Sequence, residues 1–459
     1  MNRDAEADLL QWLQRIDRKP LVIRGARQVG KTWLVRRLAE QAGRGLIELN
    51  FERDPELEHL FRERDPLRIL PLVEAYTGQR IARDKAILFL DEIQAAPGVL
   101  ANLRWFAEEM PELPVIAAGS LLDFAWANHA FSMPVGRIAY LYLEPLSFEE
   151  FLDATGYGPL RDFLRAWQPG DPFPDVLHQK ALLAFRDYLF VGGMPDVVQA
   201  WLADRSWITC AERQQALLAT IRDDFAKYAG RVPHRRLTAV LTAIPRLVGQ
   251  KLKYSAIDPD ERSVALKQAL DLLRQARLLH PVLATDGVGV PLAATASDRT
   301  FKVIHLDIGL VSAALGRLNE GARRHASPGV IEGGLAEQVV GQLIRTTFPR
   351  FVDPELFYWV REKRGAEAEV DYLIQHGTRI IPVEVKAGTT GALKSLHLFM
   401  ALRRLPAAVR FCADPPSVTE VQHQTTTGDS AAYRLLSLPC YLAGQTHRLL
   451  DTVLATTTD

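Results

Sequence analysis

The chain has 459 residues, enough for roughly two to four domains, so a small stapled fold and a disordered protein are both excluded. Hydrophobic residues make up 48% and charged residues 24%, an ordinary globular balance, and no stretch approaches the ~18 uninterrupted apolar residues of a membrane span. A soluble protein with no membrane partner is expected. Lys plus Arg equal Asp plus Glu, 55 against 55, so attraction to nucleic acid must come from a local patch.

The opening MNRDAEADLLQWLQRIDRKP carries acids and no long apolar run, which argues against a secretory signal. Cys210, Cys412 and Cys440 offer neither a disulfide framework nor a zinc spacing, and a reducing cytoplasm is the expected location. Over residues 1–145, short apolar runs alternate with helical patterns. Leu21 to Arg24, Leu46 to Phe51, Ala86 to Leu90, Val115 to Gly119 and Ile138 to Leu143 are predicted strands, and the alternation predicts a parallel α/β sheet with crossover helices.

Gly25-Ala26-Arg27-Gln28-Val29-Gly30-Lys31-Thr32 matches G-x-x-x-x-G-K-[ST] between the first strand and a helix opening at Lys31. That context makes a chance surface loop a remote alternative. Glycines let the loop wrap phosphates, backbone N–H groups supply positive potential, Lys31 reaches the β- and γ-phosphates, and the Thr32 hydroxyl ligates magnesium. Ala86 to Leu90 followed by Asp91-Glu92 has the Walker B form: Asp91 holds magnesium, and Glu92 is the general base for the attacking water. ATP and Mg²⁺ are the ligands expected. Ser120 ends the next strand and either contacts the γ-phosphate or lytic water or caps a helix. Arg137 is a candidate for neutralising transition-state charge, within a subunit or across a homo-oligomer interface; the plain alternative is a surface arginine before a strand.

From Ser147 to about Trp207 the pattern is helical, broken near Gln168 to Pro174 and at Gly192-Gly193-Met194-Pro195, and reads as a lid over 146–207 following the ATPase core of 1–145. Residues 205–280 hold 14 Lys/Arg against 7 Asp/Glu, a candidate DNA patch or a solvated helical surface. Three helical segments follow between about Arg235 and Pro281. Ser263 to Arg277 is amphipathic, with Val264, Leu266, Leu270, Leu273 and Ala276 at helical spacing. Leu278 to Thr285 and Val290 to Ala296 are expected to pair across Asp286-Gly287. The order suits a winged helix over 208–298, or an ordinary helical subdomain closed by a hairpin.

In the last stretch, 299–459, a helix (Leu335 to Thr346), an extended run (Leu356 to Arg361), two strands (Glu369 to Gln375, Arg379 to Lys386) and a helix near Lys394 to Leu402 make a second α/β unit. Asp371 lies 13 positions before Glu384, and Glu384 and Lys386 share a face by the two-residue strand period. One face can gather Asp371, Glu384 and Lys386 with Glu337 of the preceding helix. The plain alternative is a hairpin whose acids face solvent.

GARQVGKT, LFLDEIQ, AAGSLLDF, GRIAYLYLEPLSFEEF and VGGMPDV, with KYSAI, IHLDIGL and AEVDYLI…IPVEVKAG further on, resemble the prokaryotic ATP-binding proteins with an AAA-type core and a C-terminal domain of unknown function. The resemblance spans nearly the whole chain and implies a P-loop ATPase core, a winged-helix segment and a restriction-nuclease-like domain. The acidic cluster likewise resembles PD-(D/E)XK nucleases, in which carboxylates bind magnesium and the lysine orients water for phosphodiester attack; Val370 stands where the motif has proline. Glu337, Asp371 and Glu384 are then the expected metal ligands, with Asp371, Glu384 and Lys386 catalytic. The reading is a multidomain α/β protein that hydrolyses ATP on or near DNA and carries a metal-dependent nuclease-like domain. The alternative is a nucleotide-operated switch whose C-terminal domain only binds a partner.

Overall fold

The computed structural model describes residues 1–120, 136–225, 232–317, 333–363, 366–386, 388, 393–425 and 428–455. Of the sequence features above, Leu121 to Phe124, residues 226–231 of the basic stretch 205–280, and Ala387 lie outside these. Met1–Glu144, Gln275–Leu278 and Phe348–Asp353 form one compact unit, and Pro145–Arg274, Leu279–Thr347 and Pro354–Asp459 a second.

In the first unit β1 (Leu21–Arg24), β2 (Gly45–Asn50), β3 (Ala86–Asp91), β4 (Val115–Gly119) and β5 (Ala139–Tyr142) form a sheet in the order β2-β3-β4-β1-β5. Every pairing is parallel. Strands such as AILFLD and VIAAG are buried at every position, as strands covered on both faces must be, and so read as continuous apolar runs. Val22, Leu88, Leu90 and Ala117 pack in one core with Ile69, Leu103 and Phe106 of the crossover helices Pro66–Thr77 and Pro97–Glu109. All strand ends that carry chemistry thus fall on the carboxyl edge of one sheet.

The second unit holds β6 (Leu279–Thr285), β7 (Ala296–His305), β8 (Leu356–Lys363), β9 (Ala366–His376), β10 (Arg379–Val385), β11 (Ala407–Cys412), β12 (Ser417–Gln424) and β13 (Ser430–Pro439), in the order β12-β13-β11-β10-β9-β8-β6-β7. Its directions are mixed: β6–β8, β10–β11 and β11–β13 are parallel and the rest antiparallel. One face packs Trp359, Val370, Leu373 and Tyr433 against Leu396, Phe399 and Met400 of the helix Lys394–Arg403.

Four expectations change. The partner of β6 begins at Ala296 rather than Val290, because Pro291 has no N–H for a ladder and Leu292–Thr295 form a 3₁₀ turn fastened by Thr285, whose hydroxyl donates to the Leu292 carbonyl at 3.0 Å. Since β6 also pairs with β8, this hairpin continues the eight-stranded sheet, and a boundary at 298/299 falls inside β7. The helix Ser263–Gln275 buries Leu266, Leu270 and Leu273 but leaves Val264 exposed. The helices of 146–207 belong to the second unit. They are tied there by buried bonds: the Tyr188 hydroxyl donates to the Leu146 carbonyl at 2.7 Å, and His178 Nδ1 meets the Tyr441 hydroxyl at 2.8 Å.

The Gly192-Gly193 break has a steric cause. Gly193 N donates to Asp307 Oδ2 at 2.7 Å while its carbonyl accepts from Leu146 N at 2.8 Å, and a Cβ there would collide with the Leu146 backbone. Gly193→Ala therefore forces apart backbone segments that hold each other, and a loss of about 1–3 kcal/mol is expected in chemical denaturation of the full chain.

Candidate functional site

In the first unit the loop Gly25 to Gly30 joins β1 to the helix Lys31–Ala42. Gly30 is left-handed at φ 99°, and a Cβ on Gly25 would lie 2.5 Å from the Leu143 carbonyl oxygen, so both glycines are demanded by the backbone. Gln28 is also left-handed, at φ 65°. Within the loop Ala26 and Val29 are buried, and Arg27 faces Glu52 at 3.8 Å.

Lys31 is buried and donates to the carbonyls of Gly25 at 3.1 Å and Ala26 at 2.8 Å. Burial pulls its ammonium down to about 8, against the pull of Glu92 and Asp91. Thr32 Oγ1 donates to Asp91 Oδ2 at 3.1 Å, and Asn50 Nδ2 donates to the same oxygen at 3.2 Å. The Asp91 carboxyl is pushed up, first by burial and then by Glu92. A hydroxyl and a carboxylate oxygen side by side suit a hard cation, so Thr32 and Asp91 fit magnesium. Glu92 takes the left-handed region at φ 49°, rare for a residue with a Cβ, and its carboxylate accepts from Gln94 Nε2 at 2.5 Å. Ser120 is buried at the end of β4, between the strands that carry the loop and the acids.

Arg137 stands apart from this group. Its Nε donates to Glu108 Oε1 at 2.7 Å on an exposed surface of the first unit. The arginine whose charge reaches Lys31, along with that of Arg27, is Arg277, which sequence reading missed. Arg277 is 6% exposed, pairs with Glu144 at 3.1 Å and Asp353 at 2.9 Å, and lies over the Tyr142 ring. A segment more than a hundred residues from the sheet supplies it, and only its place in the amphipathic stretch Ser263 to Arg277 marked it.

In the second unit the structure brings Glu337, Asp371, Glu384 and Lys386 together, largely as the strand period requires. Lys386 Nζ donates to Glu384 Oε1 at 2.5 Å, and Asp371 Oδ2 accepts from Val385 N at 2.8 Å. Glu384 Oε2 is buried with no partner. Glu337 lies on the helix Gly333–Arg345, whose backbone at that residue accepts from the Tyr372 hydroxyl at 2.7 Å. A residue outside the predicted set completes the cluster: Lys302 of β7, 3% exposed, reaches Glu369 at 2.5 Å, Glu337 at 2.8 Å and Asp371 at 3.5 Å. Burial and then the Asp371 charge push the carboxyls of Glu337 and Glu384 up; burial pulls Lys302 down, but its three acidic neighbours outweigh it. The bare Glu384 oxygen and the cation among carboxylates suit a metal ion. Even so, among the described residues no group of three or more His, Cys, Asp or Glu is arranged to hold one.

Of the basic residues at 205–280, Arg235 and Arg236 both pair with Glu261, at 2.6 and 3.0 Å, and Lys251 pairs with Glu362. Arg246, Lys253 and Arg262 are exposed. The three cysteines are buried and free. Among the described residues no helix is long and apolar enough to cross a membrane.

Residues 17–152 match the family described as an AAA domain, 182–321 a domain of unknown function (DUF8612) and 332–439 another (DUF4143). With the Walker pair in place, the parallel-sheet core of the first unit is similar to an AAA-type P-loop ATPase domain. No match is found among curated proteins. Similar solved structures include a Walker-type ATPase of Pyrococcus abyssi (16% identity, TM-score 0.42, covering 68% of this chain and 95% of that one). Two proteins of Aeropyrum pernix are also similar: ORC2 in ADPNP–ADP complexes (14%, 0.34, 71% and 95%) and ORC1 in complex with DNA (18%, 0.28, 70% and 93%).

The Lys31 geometry has a measurable consequence. In the free protein the ammonium loses its proton as pH rises through about 8, whereas phosphate oxygens favour the charged form. Nucleotide affinity is expected to weaken above that pH, and binding at about pH 9 to take up a proton that binding at about pH 7 does not. Calorimetry in buffers of different ionisation enthalpy reads this directly.

Proposed function

We propose that this chain binds Mg·ATP in its first unit and hydrolyses it, and that the cycle serves work on DNA. The observation that carries the ATPase reading is the convergence of Lys31, Thr32, Asp91, Glu92 and Ser120 at the carboxyl edge of one parallel sheet. Lys31 leaves its loop carbonyls for the β- and γ-phosphates, and the backbone N–H groups of Gly25 to Thr32 cradle them. Thr32 and Asp91 hold magnesium, which neutralises phosphate charge when bound. Glu92, set beyond Asp91 by its left-handed backbone, takes the proton of the attacking water, and Ser120 orients that water. Arg137, exposed and held by Glu108, acts across the interface of a homo-oligomer rather than within its own unit. Lys31→Ala should lose nucleotide binding, while Glu92→Gln should keep it and lose turnover by ~100-fold or more. Undiminished phosphate release by Glu92→Gln would overturn the assignment.

Work on DNA is supported by the exposed Arg246, Lys253 and Arg262 of the second unit. Phosphodiester cleavage there is a second reading, favoured by the meeting of Asp371, Glu384 and Lys386, in which Lys386 orients water beside the two carboxylates. One panel with single-stranded, duplex and branched DNA tests both. Reversing the charge of Arg246, Lys253 and Arg262 should weaken binding and flatten its salt slope by about one unit per lost phosphate contact. Magnesium-dependent nicking should vanish in Asp371→Ala while ATP turnover persists. Equal affinity and slope in the charge-reversed chain would leave the nucleotide-operated switch, with a partner-binding second unit, as the function.

A further inference from the structure

We infer that Lys302 is the resident cation of the acidic cluster, and that a divalent metal ion and the Lys302 ammonium compete for the same carboxylates. The inference rests on reading Glu337, Asp371 and Glu384 as a metal-type donor set. It adds the residue that decides whether that set is open.

The geometry is that of a cation already coordinated. The Lys302 ammonium contacts oxygens of Glu369, Glu337 and Asp371 at 2.5, 2.8 and 3.5 Å, and lies 5.3 Å from the centre of the Tyr358 ring. Carboxylates and an aromatic face around one nitrogen, with 3% exposure, make a closed cage. Four buried or half-buried carboxylates sit with two lysines, and the second lysine, Lys386, is committed to Glu384. Lys302 therefore supplies the positive charge for the other three acids. An oxygen cage of this kind cannot hold two cations at contact distance, since ammonium and metal would repel at a few ångströms in a medium poorer than water at screening charge. Metal entry requires the ammonium to leave. Glu384 is the one carboxylate of the four that Lys302 does not contact, and its Oε2, buried and without a partner, is an oxygen that an ion among these acids would satisfy.

The two sides of this competition come from different stretches of the sequence. Lys302 falls within the stretch matched at 182–321, and the carboxylates within that matched at 332–439. The counter-ion is thus contributed to the acidic sheet by the β6–β7 hairpin, in which Lys302 stands opposite Val282.

The test is Mn²⁺ binding to the nucleotide-free full-length chain, read by electron paramagnetic resonance and by the shift in melting temperature, without DNA. Lys302→Met keeps the length of the side chain and removes the charge. It is expected to melt lower than wild type without metal, to bind Mn²⁺ at least about tenfold more tightly, and to gain more thermal stability from it, because the repulsion between two cations a few ångströms apart is removed. Adding Asp371→Asn should erase the gain, which separates this site from Thr32 and Asp91. Equal Mn²⁺ affinity in wild type and Lys302→Met overturns the proposal, as does a gain that survives Asp371→Asn. If Lys302→Met does not fold alone, refolding with Mn²⁺ but not with K⁺ supports it, and failure with both overturns it, because the ion then cannot take the ammonium's place. With no DNA present, the result stands apart from cleavage: a chain that nicks nothing can still show the competition, and a chain that nicks can lack it.

Discussion

The nucleotide chemistry proposed for this chain depends on one constraint, the parallel register of β1 with β4 and of β4 with β3. Parallel neighbours finish at the same edge, so the loop after β1, Ser120 after β4 and the acids after β3 arrive together without any contact between them in sequence. The burial of these strands on both faces fixes that register. A slip by one residue would exchange the two faces of β3 and carry Asp91 away from Thr32, to which it is held by a single bond of 3.1 Å. The long apolar runs are thus bound up with the chemistry at their ends.

The second unit solves a different problem. Its acids come from two antiparallel strands and a helix, and crowding them in a buried space has an electrostatic cost that a lone hairpin would relieve by turning them to solvent. They stay inward because Lys302 and Lys386 offset their charge and because the Val385 backbone donates to Asp371. Buried charge of this sort is tolerated only where nearly every oxygen has a partner, and here one oxygen of Glu384 goes without.

What the sequence discloses follows the range of the interactions involved. Gly25 to Thr32 and Asp91-Glu92 are contiguous, and their strand and helix context lies within a few residues, so fold and chemistry could be read together. The strands β1 and β4 match their expected bounds to the residue for the same reason: an unbroken apolar run has one plausible use in a parallel sheet. Asp371, Glu384 and Lys386 were legible as a face through the strand period. Arg277 and Lys302 were not, since each is carried to its site by tertiary packing from a segment with its own, unrelated periodicity. The pairing of β6 with β8 was hidden likewise: the local turn signal at Asp286-Gly287 is real, yet Gly287 begins a longer loop, and the other edge of β6 is claimed by a strand some seventy residues on. The ion pairs of Arg235 and Arg236 with Glu261 show the same limit, because a run of basic residues says nothing about the acid that folds onto it.

The β6–β8 pairing also bears on how this chain can be divided. The pairing joins the stretch matched at 182–321 to that matched at 332–439 along a row of backbone hydrogen bonds, so a cut placed between the two sequence families runs through the middle of a sheet. A fragment opening near residue 332 would present β8 as a bare edge, a ready template for pairing with other copies of itself, and would hold Glu337, Glu369 and Asp371 with no lysine from β7 among them. Self-association driven by that edge and swelling driven by that charge would both be products of the cut. Neither would be a property of a chain that keeps both stretches and with them the β6–β8 pairing.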